Sequence, residues 1–361
     1  MSKRVTDVFG MSNEVLQDSY VDRGALDEQL SEVIRAGKVH IALRGASKCG
    51  KSWLRRRILK DPIVVQCRLN KTGVDLYTDA LSQLDIQFRS ETTRAQEIRG
   101  TVTGTADAGF KLLAKVGLNI GIEGKVGEGT RTVPAGRDIN DLRFIADIIR
   151  ESGRKLVIED FHYLSLKERE AFAFDLKAFW DWGVQIIIVG VWSVDNMLLT
   201  LNPDLTGRLE EITVTWNEAD LGKILDVGGS ALNFMFQNPL RSFLVDAAYG
   251  NAGQLQTLVV KALVDGLKIP EGARSIAVFS DKEIGVNAAM EYADQLNPLY
   301  QSFARNVAKG IRNRTKSTNI YAHAMAVILN ATDDELITGL SVDRIFEVAN
   351  RREPRILLGT C

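Results

Sequence analysis

Three cysteines (Cys49, Cys67 and Cys361), three histidines (His40, His162 and His323) and seven prolines in 361 residues exclude several ways of building and using a protein. The cysteines are odd in number and have no paired spacing, which argues against a disulfide framework and for a reducing compartment. The histidines lie far apart in sequence and form no zinc-ligand pair. An excess of charge of either sign is also missing. Lys and Arg total 45 against 46 Asp and Glu, a net charge of -1, so there is no global basic field for nucleic acid and any such site is a local patch. Long apolar runs are absent too. The opening MSKRVTDVFGMSNEV has no apolar signal core, and runs such as 186–192 fall far short of the roughly 20 residues that cross a bilayer. These absences predict a cytoplasmic chain with no membrane partner. What is present, 45% hydrophobic and 25% charged residues, is ordinary globular material, long enough for two or three domains.

Residues 39–52 read VHIALRGASKCGKS. A short β-branched run leads into Gly45, Ala46, Ser47, Lys48, Cys49, Gly50, Lys51 and Ser52, the full G-x-x-x-x-G-K-[ST] pattern. A phosphate group needs close backbone approach, converging N–H donors and a cation with reach. The glycines allow the first two, and Lys51 supplies the third. Ser52 can place its hydroxyl on Mg²⁺, and the segment from Trp53 through LRRRIL predicts a helix whose positive N-terminal dipole faces the phosphates.

Binding a nucleotide differs from hydrolysing it, which needs an acidic strand to hold the metal and orient water. Residues 155–160, KLVIED, supply an apolar strand ending in Glu159 and Asp160. P-loop ATPases with an additional strand usually carry Asp and then Glu here. The inverted order puts Glu159 at the metal-linked position and Asp160, one methylene shorter than usual, at the water-polarising position. A third apolar run, 184–191, leads to Trp192 and Ser193. Ser193 is a candidate γ-phosphate sensor or else the cap of the following helix, 194–201. Arg208, in PDLTGRLEEITV, precedes a further strand. It is either an arginine finger for a neighbouring subunit or a surface residue paired with Glu210 or Glu211.

The order of P-loop (Gly45 to Ser52), acidic strand (Leu156 to Asp160), sensing strand (Ile186 to Ser193) and arginine before a strand (Arg208) resembles the AAA+ and STAND ATPases. Within them it resembles the origin-recognition-complex-like branch, which includes ATPases of bacterial transposons and is similar to defence-system ATPases. The resemblance implies an entry segment in which Tyr20 and Val21 lie against the adenine and Arg23 begins the first helix. It also implies a helical lid over WNEADLGKILDVGGSALN and FLVDAAYGNAGQLQTLVVKAL. The lid departs from the pattern of many relatives: after Gly250, Asn251, Ala252 and Gly253 comes Gln254, where a second sensing arginine is usual. A neutral amide there implies a slow switch rather than a fast motor.

Two further stretches stand apart. Residues 100–129 contain Gly100, Gly104, Gly109, Gly117, Gly121, Gly124, Gly127 and Gly129. Their density predicts one or two strands with glycine-assisted bends and argues against a long regular helix. Lys111, Lys115, Lys125 and Arg131 in this insertion could touch DNA or an adjoining subunit, although Glu123 and Glu128 dilute the charge; the alternative is a hairpin covering its own sheet edge. Further on, Arg305, Lys309, Arg312, Arg314 and Lys316 fall within residues 305–316 without an acidic residue. They form either a nonspecific DNA-binding patch or a solvated helix face. Residues 317–331 and 341–353 resemble the first two helices of a winged helix-turn-helix, and the chain ends at Cys361 where a recognition helix and wing would be due. His162, between two aromatic residues, reads as a packed residue after the acidic strand.

The expected architecture is α/β: a P-loop, AAA+-like parallel-sheet core over 1–215 with an insertion near 88–136, a helical lid over 216–272, and a helical, partly winged-helix-like module over 273–361. The expected activity is slow hydrolysis of ATP with Mg²⁺. Lys51 would hold the phosphates, Ser52 and Glu159 the metal, and Asp160 would polarise water, with Arg208 acting from a neighbouring copy. The switch would form homo-oligomers and either regulate a DNA transaction or, as a STAND-type sensor in antiviral defence, recruit an effector protein acting in trans.

Overall fold

The computed structural model describes residues 2–92, 98–104, 107–119, 126–127, 130–131, 141–192, 194–309, 318–332, 335–336 and 340–354. The chain divides into two compact units, Met1–Gly285 and Val286–Cys361.

The first unit is built on a five-stranded parallel sheet. Its strands are β1 (His40–Arg44), β2 (Ile63–Gln66), and three later strands that lie beside them, Leu156–Glu159, Ile186–Gly190 and Leu209–Thr213. Strands β3 (Ile86–Thr92) and β4 (Ile98–Gly104) pair as an antiparallel hairpin, and β5 (Val126–Gly127) and β6 (Thr130–Arg131) as a minimal one. The remaining sheet strands are therefore β7 (Leu156–Glu159), β8 (Ile186–Gly190) and β9 (Leu209–Thr213), in spatial order β2-β7-β8-β1-β9. Strand alternation divides their side chains between two cores. Ala42, Leu156, Ile158, Ile186 and Ile188 face one core, and Ile41, Leu43, Val157, Ile187 and Val189 face the other. Burial on both faces explains why β7 and β8 read as unbroken apolar runs rather than alternating ones.

Helices cover both faces. Leu26 and Leu30 of α2 (Leu26–Ala36) and Leu54 of α3 (Lys51–Ile58) close one side. α4 (Gly73–Ser82), α6 (Leu142–Ser152) and α7 (Leu166–Asp181) close the other. His40 is sealed inside: its Nε2–H donates to the Leu176 carbonyl at 2.7 Å, and Ile186 N–H donates to Nδ1 at 3.0 Å, tying β1, α7 and β8 together. Beyond β9 the chain forms α9 (Glu218–Leu232), α10 (Leu240–Asp246) and α11 (Ala252–Val260), with β10 (Phe234–Phe236) and β11 (Ala277–Phe279) paired beside them.

The insertion corrects one expectation. Residues 107–119, expected as glycine-bent strand, form the 13-residue helix α5 (Asp107–Asn119). Gly109 is used there for close packing rather than bending: a Cβ at that position would fall 2.3 Å from the Asp85 carbonyl oxygen. The strands of this region lie earlier, in β3 and β4.

α12 (Lys282–Lys309) runs as one helix through Pro298, within the expectation of one or two helices. α13 (Ile320–Leu329) packs against a further helix, Val342–Arg352, whose N-terminus is capped by Ser341 accepting from Arg344 N–H. Among the described residues no helix is long and apolar enough to cross a membrane.

Candidate nucleotide-binding site

Parallel strands deliver their C-terminal ends to one edge, where an open α/β sheet places its ligands. Arg44 lies level with Gly190 and Thr213, and Gln66 level with Glu159. The P-loop, the acidic pair and the end of β8 therefore meet at the same rim.

Gly45 sits at φ +156°, and a Cβ there would approach the Val214 carbonyl oxygen to 2.6 Å and Cys49 Sγ to 2.8 Å. Only glycine fits. Gly50, at φ +94°, is the N-cap of α3. Lys48 takes the left-handed conformation between them, at φ +63°. The loop curls around Lys51, whose buried ammonium donates to the carbonyls of Gly45 at 3.0 Å and Ala46 at 2.7 Å. One residue on, Ser52 Oγ donates to Glu159 Oε2 at 3.1 Å. Glu159 Oε1 accepts from Arg55 Nε at 2.9 Å and its terminal nitrogen at 2.8 Å, and both residues are buried. Asp160, left-handed at φ +55°, accepts from the Gln66 side-chain amide.

The opposite wall comes from the entry segment and α9–α11. Arg23 precedes α2 by three residues rather than beginning it. It donates to the Cys49 carbonyl at 2.9 Å, while Trp216 Nε1 donates to the same oxygen at 2.8 Å. The guanidinium stacks on the Trp216 ring at 4.1 Å, and burial lowers its pKa. Its Nε is buried without an acceptor among the described residues. Tyr20 donates to Asp27 at 2.5 Å and carries Arg57 on its ring; burial first, then Asp27, raises its phenol well above the usual value. Trp53 Nε1 donates to the Ser12 carbonyl at 2.9 Å, holding the entry segment over α3. On the lid side, Asn251 Nδ2 donates to the Ser47 carbonyl at 2.8 Å and Gly253 N–H to the Lys48 carbonyl at 3.1 Å. Gln254 turns away to the Ala247 carbonyl at 2.7 Å.

Together these walls enclose about 570 Å³, lined by Tyr20, Arg23, Lys48, Lys51, Asp160 and Trp216, among others. That volume suits a small cofactor. The glycine-rich loop and the Lys51 ammonium suit one carrying phosphates. Mg²⁺ asks for hard oxygens and only one or two protein ligands, the rest coming from phosphate and water. The Ser52 hydroxyl beside Glu159 Oε2 fits that demand. Among the described residues no cluster of three or more His, Cys, Asp or Glu offers a closed metal cage instead.

The structure brings together most of the residues expected from the sequence: Tyr20, Val21, Arg23, Ser47, Lys48, Gly50, Lys51, Ser52, Trp53, Glu159 and Asp160 line one pocket, with Gly45, Ala46 and Cys49 as its loop frame. Arg208 is not among them. It lies at the far end of the sheet beside His40, donating to the Asp204 carbonyl at 2.5 Å with its guanidinium over Trp180 at 4.6 Å. Neither suggested partner holds it: Glu211 pairs with Arg44 at 2.8 Å. Ser193 lies outside the described residues, as do Arg312, Arg314 and Lys316 of the basic run and Lys125 of the insertion. The helix expected after Ser193 starts at Met197 with Asn196 at its N-cap. Arg305 is on α12, and Lys115 pairs with Glu151 at 2.6 Å. Sequence reasoning missed Arg55, Gln66, Trp216 and the pocket position of His162. Gln66 and Trp216 could have been found from their places at or just beyond the C-terminal ends of β2 and β9.

Neither a protein-family model nor a curated protein matches the chain. Among solved structures it is similar to a Walker-type ATPase of Pyrococcus abyssi, with 15% identity and a TM-score of 0.46 over 94% of this chain and 92% of that one. It is also similar to the Aeropyrum pernix ORC1 protein in complex with DNA, with 13% identity and a TM-score of 0.43 over 95% and 81%. A third similar structure is the Thermotoga maritima RuvB Holliday junction branch migration motor, with 12% identity and a TM-score of 0.40 over 93% and 89%. The α/β parallel-sheet core expected from the sequence, with the glycine-rich loop running from β1 into α3, is the core observed.

Proposed function

We propose that the chain binds ATP with Mg²⁺ and hydrolyses it slowly, as a molecular switch. One observation carries this reading: Lys51 inside its loop, the Ser52–Glu159 couple and Asp160 converge on one rim of one pocket. Ser52 would hold Mg²⁺ with Glu159 behind it, and the bound ion would neutralise charge on the phosphate oxygens. Lys51 leaves the Gly45 and Ala46 carbonyls for the phosphates, and the N–H groups at the start of α3 face the same anions. Asp160 accepts a proton from the attacking water as its oxygen bonds to the γ-phosphorus and ADP departs. One Asp160 oxygen is already engaged by Gln66, and the side chain is short, so turnover is slow.

The finger role for Arg208 would require an assembly: a sheet length from its own P-loop, Arg208 could meet a γ-phosphate only on a neighbouring copy. The basic run from Arg305 supports regulation of a DNA transaction as the output. The alternative output is a STAND-type sensor that recruits a defence effector in trans, and the neutral Gln254 with the lid seated directly on the P-loop favours its low turnover. Mass measurement with ADP, ATP and a non-hydrolysable analogue, with and without duplex DNA, separates these outputs. Assembly dependent on both triphosphate and DNA supports the first; triphosphate-dependent assembly indifferent to DNA supports the second. A monomer under every condition contradicts both.

A further inference from the structure

His162 occupies a position the reading above leaves unused. It follows Asp160 and Phe161 in a tight turn, Phe161–Tyr163, between β7 and α7. Phe161 is fully buried with its ring 5.6 Å from that of Phe172, which anchors the turn in the core. The turn also approaches the end of β8 closely: the His162 backbone nitrogen lies 3.5 Å from where a Cβ on Gly190 would stand. His162 is thus fixed by its backbone on both sides.

Its ring chemistry is fixed as well. Val191 N–H donates to Nδ1 at 3.2 Å. An Nδ1 that accepts cannot carry the proton, so the neutral ring bears its hydrogen on Nε2. Nε2 has no acceptor among the described residues, and His162 lines the same pocket as Lys51, Ser52 and Asp160. The Tyr163 ring packs 4.3 Å from the imidazole and restrains its tilt. Burial, with Lys51 and Arg169, lowers the pKa of the ring against the opposing pull of Asp160, which favours the neutral donor. A preset N–H donor without an acceptor among the described residues, in the same pocket as the P-loop lysine, is a group that a phosphate reaching beyond the loop would satisfy.

We propose that His162 reads the γ-phosphate, donating a hydrogen bond from Nε2–H to a γ-phosphoryl oxygen and passing its presence through Nδ1 to Val191 at the end of β8. The proposal rests on the P-loop reading and deepens it, because it names the residue by which this site would distinguish triphosphate from diphosphate. The donor contributes nothing to ADP, which has no oxygen at that place. It differs from a general base: the proton on Nε2 is given to an anion and stays on the ring.

The test is the affinity of the full chain for ADP and for a non-hydrolysable ATP analogue with Mg²⁺, in wild type, His162→Phe and His162→Gln. Phe keeps a ring and removes the donor; Gln returns an N–H at similar reach. The expected result is that His162→Phe loses triphosphate affinity by at least about tenfold, the scale of one hydrogen bond to a charged group, with ADP affinity unchanged, and that His162→Gln recovers most of the loss. In wild type, the Nε2–H nuclear magnetic resonance signal should move with the analogue and remain in place with ADP, a reading independent of whether the variants fold. An unchanged ratio of triphosphate to diphosphate affinity in His162→Phe, equal loss of both, or a signal indifferent to the analogue overturns the proposal. Absence of any nucleotide binding by wild type instead overturns the P-loop reading itself.

Discussion

Arg55 and Glu159 form a buried ion pair 2.8 Å long, in which the helix that carries Lys51 grips the carboxylate proposed above to stand behind Mg²⁺. Glu159 is thereby held with one oxygen on Arg55 and the other on Ser52. The arrangement places a fixed positive charge beside the proposed Mg²⁺ position, independent of any bound ion.

Removing one partner of a buried pair leaves an uncompensated charge, which costs about 3–5 kcal/mol. Arg55→Met should therefore lower the urea midpoint strongly, whereas Arg55→Met combined with Glu159→Gln should recover most of the stability. A loss below about 1 kcal/mol in the single variant, the scale of an exposed pair, would contradict the burial argument.

Gln66 restrains Asp160. Its amide engages one carboxylate oxygen, leaving the other for water. Gln66→Ala should raise phosphate release several-fold at unchanged nucleotide affinity, and Asp160→Asn should lower it by about 10²–10⁴, the usual scale of a positioned proton acceptor. Steady-state phosphate release with parallel affinity measurements checks both.

The lid rests on the P-loop through glycine. A Cβ on Gly253 would fall 2.7 Å from Lys48 Cβ and 2.8 Å from its carbonyl oxygen. Gly253→Ala should unseat α11 from Lys48 and weaken nucleotide binding by about 1–3 kcal/mol, the cost of overpacking a tight contact. Calorimetric titration would show this. Gln254→Ala, on a side chain turned to Ala247, should leave affinity nearly unchanged.

Stability should fall with acid through His40. Burial pushes its pKa down from 6.5 to about 4, against a smaller upward pull from the Leu176 carbonyl. As pH falls below 6.5 the unfolded chain takes up a proton that the folded chain refuses until about 4. The contribution of this site is therefore complete above pH 6.5 and declines by about 3 kcal/mol between there and pH 4. Urea midpoints across that range should show a shallower decline in His40→Gln than in wild type.

Much of this site was legible because its chemistry is local. The loop from Gly45 to Ser52 and the strand ending in Glu159 and Asp160 each carry their own signal within a few residues, and the alternation of Ile41, Ala42 and Leu43 between two cores matches a buried parallel strand. Gln66, Arg55, Trp216 and His162 carry no such local mark; parallel pairing and helix packing bring them to the rim. The insertion misled for a related reason. Glycine density there suggested bends, but Gly109 answers to a tertiary neighbour, the Asp85 carbonyl, that no local rule contains. Arg208 was legible as an arginine before a strand, yet only the sheet register reveals that it stands at the opposite edge.

The most direct test of the central claim is ATP binding and phosphate release with Mg²⁺ by wild type, Lys51→Ala and Asp160→Asn. The account predicts binding with slow release in wild type, greatly weakened binding in Lys51→Ala, and retained binding without release in Asp160→Asn. Wild type that binds no ATP at millimolar concentration, or Lys51→Ala that binds it as wild type does, would contradict it.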